Sequence, residues 1–240
     1  MRLDQFLVAR GDFETRAQAQ AAIRAGCVSI DGEPETKPSR TAPEGARIEA
    51  EKPHPWVSRG GVKLAAALEA FNVDPAGLTC LDLGASTGGF TDVLLARGAQ
   101  RVFAVDVGRD QLHPKLAGDP RVVRFDGLHA KELSAAHIPD LVDLLVIDVS
   151  FISLKIAAPP AMAFVKPGGV LIALIKPQFE VGRDGLGKGG IAAPDAASAA
   201  VADLKAWFDA AEGWRVARLI ESPIAGGDGN REHLIHVVRD

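Results

Sequence analysis

Cysteine is scarce in this chain, and the two present, Cys27 and Cys80, fall in different predicted modules. They have no metal-ligand spacing and no partners for a disulfide framework, so no metal is expected. Cys80 opens an apolar run and reads as packing. Long apolar runs are missing as well, since none approaches the roughly 18 residues of a membrane span. The charges in MRLDQFLVARGDFETR interrupt any signal-peptide core, so a cytoplasmic protein without a membrane partner is expected. Internal repeats and low-complexity segments are absent. There is no excess of positive charge: the net charge of −4 argues against a generic polyanion binder. Residues 1–60 balance lysine and arginine against aspartate and glutamate, so any nucleic-acid binding needs a local basic face. At 240 residues the chain can bury a core and hold one large domain, or an ordinary one plus a small module.

What is present centres on Thr79–Phe90, TCLDLGASTGGF. An apolar run meets a glycine-rich turn and then a helical pattern with Val93, Leu94 and Leu95. Such a strand–turn–helix presents a nucleotide site in a doubly wound α/β sheet, because glycines admit the ligand and the helix N-terminus offers free N–H groups. About 20 residues on, Val102-Phe-Ala-Val105 ends in Asp106, where such folds keep a carboxylate for ribose hydroxyls. The turn is not a dinucleotide fingerprint, since Ser86 stands where G-x-G-x-x-G needs glycine. Asp82 would repel a pyrophosphate. A ligand with a ribose and a cationic end fits both features, and S-adenosylmethionine is such a ligand. The cofactor-binding candidates are Asp82, Gly84, Ala85, Ser86, Gly88, Asp106, Val107 and Asp148, with Asp126 at the third strand end for an adenine amino group.

The N-terminal stretch reads as two short helices, Arg2–Arg10 closed by Gly11 and Thr15–Ala25 capped by Thr15. Cys27–Ile30 then alternates like a strand and turns at Asp31-Gly32, with a further strand at Ala46–Ala50. Pro53-His-Pro-Trp56 reads as a linker. The expected division is residues 1–52, a linker at 53–57, and 58–240. From Ser58 a helix begins, and strand–helix units follow with strands at Thr79–Leu83, Arg101–Asp106, Arg121–Phe125, Val142–Asp148 and Val170–Lys176. A helix over Asp195–Ala210 leads to Trp214–Glu221 and Glu232–Arg239, which pair as a hairpin. Parallel units closed by an antiparallel hairpin predict an α/β fold, a Rossmann-like seven-stranded methyltransferase sheet with a small N-terminal α+β module. Asp106, Asp148 and Lys176 each follow an apolar run, so all three should emerge at the ligand edge.

Arg2-Leu-Asp4, Thr15-Arg16 and Gly26-Cys-Val-Ser-Ile-Asp-Gly32 resemble the S4 RNA-binding domain. On that resemblance Arg2, Arg16 and Arg24 would hold phosphates, which guanidinium binds through paired hydrogen bonds. Ser58-Arg-Gly-Gly-Val-Lys63, Asp82–Phe90, Asp148-Val-Ser-Phe-Ile-Ser153, Lys176-Pro-Gln-Phe-Glu180 and Asn230-Arg-Glu232 together resemble the TlyA family. Its members join an S4 domain to an FtsJ-like methyltransferase that modifies ribosomal RNA at a cytidine 2′-hydroxyl. The resemblance implies S-adenosylmethionine as cofactor, a ribosomal subunit as partner, and a catalytic tetrad falling on Lys63, Asp148, Lys176 and Glu232. Arg59 joins the RNA-binding candidates through the first motif. Short-ended members imply a large-subunit target. Members have also been called haemolysins, but no export signal or long amphipathic segment supports a pore.

A ribose hydroxyl is a weak acid and poor nucleophile. Lys176, expected between two carboxylates, would stabilise the developing alkoxide or accept its proton. Asp148 and Glu232 would orient the lysines, and Lys63 would position the ribose. Methylation of a base amino group is disfavoured, because Asp148-Val-Ser-Phe151 lacks the two prolines of that chemistry's motif. A non-catalytic RNA-binding assembly factor remains the alternative. Gly182–Gly190 nearly reads as a P-loop, yet Gly189 stands where a magnesium-holding hydroxyl belongs. The expectation is a mobile lid with Arg183 and Lys188 touching RNA.

Overall fold

The structure, a computed structural model, describes residues 1–240 and divides into two compact units, Met1–Pro55 and Trp56–Asp240. In the first, α1 (Leu3–Arg10) ends at Gly11, whose φ of 89° is the left-handed turn that glycine adopts at least cost. Helix α2 (Arg16–Arg24) starts with a reciprocal capping box between Thr15 and Gln18, a device worth about 1 kcal/mol. Strands β1 (Val28–Ile30), β2 (Glu33–Pro34) and β3 (Ile48–Ala50) form an antiparallel sheet in the order β2-β1-β3. Asp31 and Gly32, both at positive φ, make the tight turn between β1 and β2. Leu3, Leu7, Phe13, Ile23 and Val28 supply the small core.

Asp4 lies fully buried beside that core. Its carboxylate accepts from Arg2 Nε at 3.1 Å, Arg16 Nε at 2.8 Å and Gln20 Nε2 at 2.7 Å. Arg2 above all, then Arg16 and Gln20, outweigh burial and hold this carboxyl far below the usual range. A single anion thus fixes two guanidiniums, one just before α1 and one at the start of α2.

The second unit is a seven-stranded sheet flanked by helices. After α3 (Arg59–Phe71) come β4 (Thr79–Leu83), α4 (Gly89–Ala96), β5 (Arg101–Asp106), α5 (Pro114–Ala117), β6 (Val122–Asp126) and β7 (Val142–Ile147). Then follow α6 (Leu154–Met162), β8 (Val165–Ile175), α7 (Pro194–Ala210), β9 (Trp214–Glu221) and β10 (His233–Arg239). The order is β6-β5-β4-β7-β8-β10-β9, with β10 antiparallel to both neighbours and the rest parallel. Between β6 and β7 the expected helix is only a 3-10 turn, Ala130–Glu132. The fifth strand starts at Val165, earlier than its sequence pattern indicates, because β8 runs through Pro167-Gly168-Gly169.

Side-chain alternation along β4 sets the two cores. Cys80 packs under α3 and α4 with Leu64, Phe90 and Leu94. Leu81 and Leu83 face α6 and α7, meeting Leu154, Leu204 and Phe208. A period of two therefore sends Asp82 to the same side as Cys80, beneath α4. That direction matters for the site.

Candidate active site

Parallel strands and their reversal bring the polar strand ends to one edge. The chain leaves β4 at Gly84, where φ is 85° and a Cβ would lie 2.5 Å from the Asp148 carbonyl oxygen. Only glycine permits β7 to end this close. The turn Gly84–Thr87 then lines a cleft with Ser58, Gly60, Phe90, Asp148, Ser150 and Lys176, and Lys63 reaches it from α3. Lys63, Ala67 and Phe71 share one buried stripe of α3, which directs the lysine inward.

Two lysine–carboxylate pairs form here. Lys176 Nζ lies 2.6 Å from Asp148 Oδ1, an ion contact, and donates to Ser150 Oγ at 2.9 Å. Lys63 Nζ pairs with Glu232 Oε2, and both residues are buried. His233 opposes Ile175 across β10 and β8, so Glu232 and Lys176 sit just beyond the same end of that ladder. The expected arrangement of Lys176 between two carboxylates is corrected: its second partner is the Ser150 hydroxyl, because Glu232 turns to Lys63.

Other expectations change too. Asp82 does not open to the cleft; it is fully buried, accepting from Thr91 Oγ1 at 2.6 Å, with Oδ1 unpartnered. Burial, with Asp148's charge adding, pushes its carboxyl up to about 7. Gly88 caps α4 with its α-carbon against Leu112 and Leu116, so it shapes the turn and does not line the cleft. Asp106 accepts from Ser86 N–H at 2.8 Å and Gly108 N–H at 2.6 Å, bracing the turn while keeping lone pairs for a ligand. Val107 is 60% exposed beside it. Asp126 lies outside the cleft lining, 2.8 Å from Arg124 and accepting from Asp110 N–H. Ala85 and Ser86 line the cleft as expected.

Among the basic candidates, Arg2 and Arg16 are partly committed to Asp4, while Arg24, Arg183 and Lys188 are exposed. Arg59 donates to the Ala225 carbonyl in the β9–β10 turn. The loop expected as a mobile lid carries two 3-10 turns, Arg183–Gly185 and Lys188–Gly190, and is tied to Asn230 through Ala192 N–H and the Gly190 carbonyl. Sequence reasoning missed Ser58, Gly60, Thr87, Gly89, Phe90 and Ser150 in the lining. Ser150 stands two residues after Asp148, a spacing that alone carried no signal. Phe151 is also notable: φ is 65°, its ring is 90% exposed, and it touches Phe179 at 5.0 Å between centroids.

A sheet of this order, with a ligand turn after β4 and paired ions at the same edge, defines a Rossmann-like methyltransferase fold. Residues 56–239 match the FtsJ-like methyltransferase family and residues 1–48 match the S4 domain. The chain is 43% identical over 237 residues to the 16S/23S rRNA (cytidine-2′-O)-methyltransferase TlyA of Mycobacterium tuberculosis, covering 98% of this chain and 88% of that protein. It is 32% identical over 193 residues to the 23S rRNA (cytidine-2′-O)-methyltransferase TlyA of Campylobacter jejuni, covering 77% and 72%. A solved structure from Streptococcus thermophilus, carried under a hemolysin name, superposes with a TM-score of 0.77 at 38% identity, covering 100% of this chain and 88% of that one. The chain belongs to the TlyA family of FtsJ-like methyltransferases that carry an S4 domain. No helix is long and apolar enough to cross a membrane.

Proposed function

We propose that this protein is an S-adenosylmethionine-dependent 2′-O-methyltransferase acting on a cytidine ribose of ribosomal RNA. The observation that carries the reading is the convergence of two lysine–carboxylate pairs on one cleft beside the glycine turn. The residues present fit the cofactor: Asp148 in the cleft lining, and Asp106 bonded to the Ser86 N–H of the turn just beside it, would accept hydroxyls and a cationic end. When bound, S-adenosylmethionine supplies an electrophilic methyl group on a positive sulfur.

The chain's own residues supply the rest. Lys176 Nζ is steadied by Asp148 and Ser150 at the cleft and would meet the ribose oxygen there. As an ammonium it stabilises the alkoxide, and as a neutral amine it takes the hydroxyl proton. Lys63, neutralised by Glu232, orients the ribose from the other side. Arg2, Arg16 and Arg24 of the S4 unit, with Arg59, Arg183 and Lys188, serve as phosphate contacts. The Mycobacterium tuberculosis relative is named for 16S and 23S rRNA and the Campylobacter jejuni relative for 23S alone, so 23S rRNA is common to both names, and the large subunit is the target we favour. The hydroxyl reading is preferred to base methylation because two lysines have work on an oxyanion and none on an amine.

The test is incubation of purified protein with methyl-labelled cofactor and separate ribosomal subunits, followed by mapping of the modified ribose. Label confined to a 2′-O-methylcytidine of the large-subunit RNA is expected. Label on a base, or none in either subunit, would sink the reading.

A further inference from the structure

The turn joining β9 to β10 does more than reverse the chain. Asn230 is 2% exposed, and its amide spends both functions on another loop. Oδ1 accepts from Ala192 N–H at 2.8 Å, and Nδ2 donates to the Gly190 carbonyl at 3.2 Å. In the same turn Asp228 Oδ2 accepts from Gln178 Nε2 at 3.0 Å, while its Oδ1 accepts from Asn230 N–H at 3.1 Å. The segment 178–192 is therefore tied near both ends to one turn. Gln178 follows Lys176 by two residues and Asn230 precedes Glu232 by two, so the ties lie beside one member of each lysine–carboxylate pair.

Between the ties Glu180 is fixed by Ser153 Oγ and Leu154 N–H, and beyond it only short-range turn bonds order the segment. Gly182, Gly185, Gly187, Gly189 and Gly190 give it wide backbone freedom, and from residue 182 on its links are local: the bridge from Leu186 to Ala192, the bonds from Gly187 N–H to Ile191, Leu186 N–H to Arg183 and Gly190 N–H to Gly187, and one from Ala193 N–H to Gly185. Exposed Arg183 and Lys188 ride on it. A loop left free would lose that freedom each time it docked a polyanion, which weakens binding. A loop held beforehand meets phosphates with its cations already disposed.

We propose that Asn230 is a positioning residue that holds the 182–190 loop, with Arg183 and Lys188, in the conformation that receives the RNA phosphate backbone. The proposal rests on the rRNA reading above. The position requires one donor and one acceptor side by side. Alanine removes both bonds, whereas aspartate keeps the bond to Ala192 and turns the other into repulsion against the Gly190 carbonyl.

Trypsin offers a readout independent of activity, because it cleaves after Arg183 and Lys188. Asn230→Ala is expected to speed cleavage at these two bonds about tenfold, with Asn230→Asp at least as fast because it sets a buried charge against the Gly190 carbonyl, and with cofactor affinity unchanged in both. In steady-state assays on ribosomal subunits, KM for RNA should rise about tenfold while kcat stays within about twofold. Adding Arg183→Ala and Lys188→Ala to Asn230→Ala should raise KM no further, since the released cations already contribute little. Full additivity, or an unchanged KM despite faster cleavage, overturns the positioning role while leaving the rRNA reading intact. Loss of cofactor binding in the isosteric Asn230→Asp overturns it too, showing a structural role only. If the parent protein methylates neither subunit, the rRNA reading itself has failed.

Discussion

Lys63 and Glu232 stand 169 positions apart and form a buried ion pair between α3 and the start of β10. Removing one partner strands the other's charge out of water, so Glu232→Leu or Lys63→Met alone should cost about 3–5 kcal/mol. The double variant Lys63→Met/Glu232→Leu should recover most of that stability, because a packed apolar pair replaces the ions. Its methylation should stay abolished. Denaturant unfolding and an rRNA assay on the three variants check this; restored activity in the double variant would make the pair purely structural.

Lys176→Ala should lower kcat by roughly 10²–10⁴-fold while cofactor affinity, measured by calorimetry, changes little. Its amine meets Asp148 and Ser150 at the cleft. Turnover at the parent rate would remove Lys176 from the chemistry.

Asp82 gives a pH prediction of definite sign. Its folded carboxyl is pushed up to about 7 by burial, above its ordinary 3.8. Between those values the folded protein holds a proton that the unfolded chain has released, so stability falls as pH rises through this window. Asn at this position can still accept from Thr91 and never charges. Asp82→Asn should therefore stabilise the fold at pH 8, by at most on the order of 4 kcal/mol and visible as a higher Tm, and the gain should vanish toward pH 4. Melts across that range decide it; a gain that grows on acidification would contradict the assignment.

Phe151 carries a local cost. A non-glycine residue at φ 65° with its ring 90% in solvent is strained, and the strain is typically about 1–3 kcal/mol. Phe151→Gly should raise stability by about 1 kcal/mol and lower kcat/KM on rRNA, since the exposed ring lies three residues from Asp148 and is free to stack on a base. A variant that is less stable and equally active would show the ring to be ordinary packing through Phe179.

Much of this was open to reading in the residues. Apolar runs ending in Asp106, Asp148 and Lys176, spaced by helical patterns, already implied parallel strands with polar ends at one edge. Thr15 and Gly11 marked helix ends, and Asp31-Gly32 marked a hairpin, because these residues relieve local backbone constraints. Asp82 was misread for a reason the pattern itself contained. Counting by two from Cys80 puts it under α4, but its place in the glycine motif suggested the ligand.

Local chemistry, in short, determined the elements, their order and the candidate ions, since caps, turns and apolar periodicity act between neighbours in the chain. Which ion meets which was decided only when the sheet closed. Lys63, Asp148, Lys176 and Glu232 come from four separate stretches, and nothing in their spacing says that Glu232 takes Lys63 and leaves Lys176 to Asp148 and Ser150. That choice depends on where β8 and β10 end against each other and on which face of α3 is buried, and those are properties of packing.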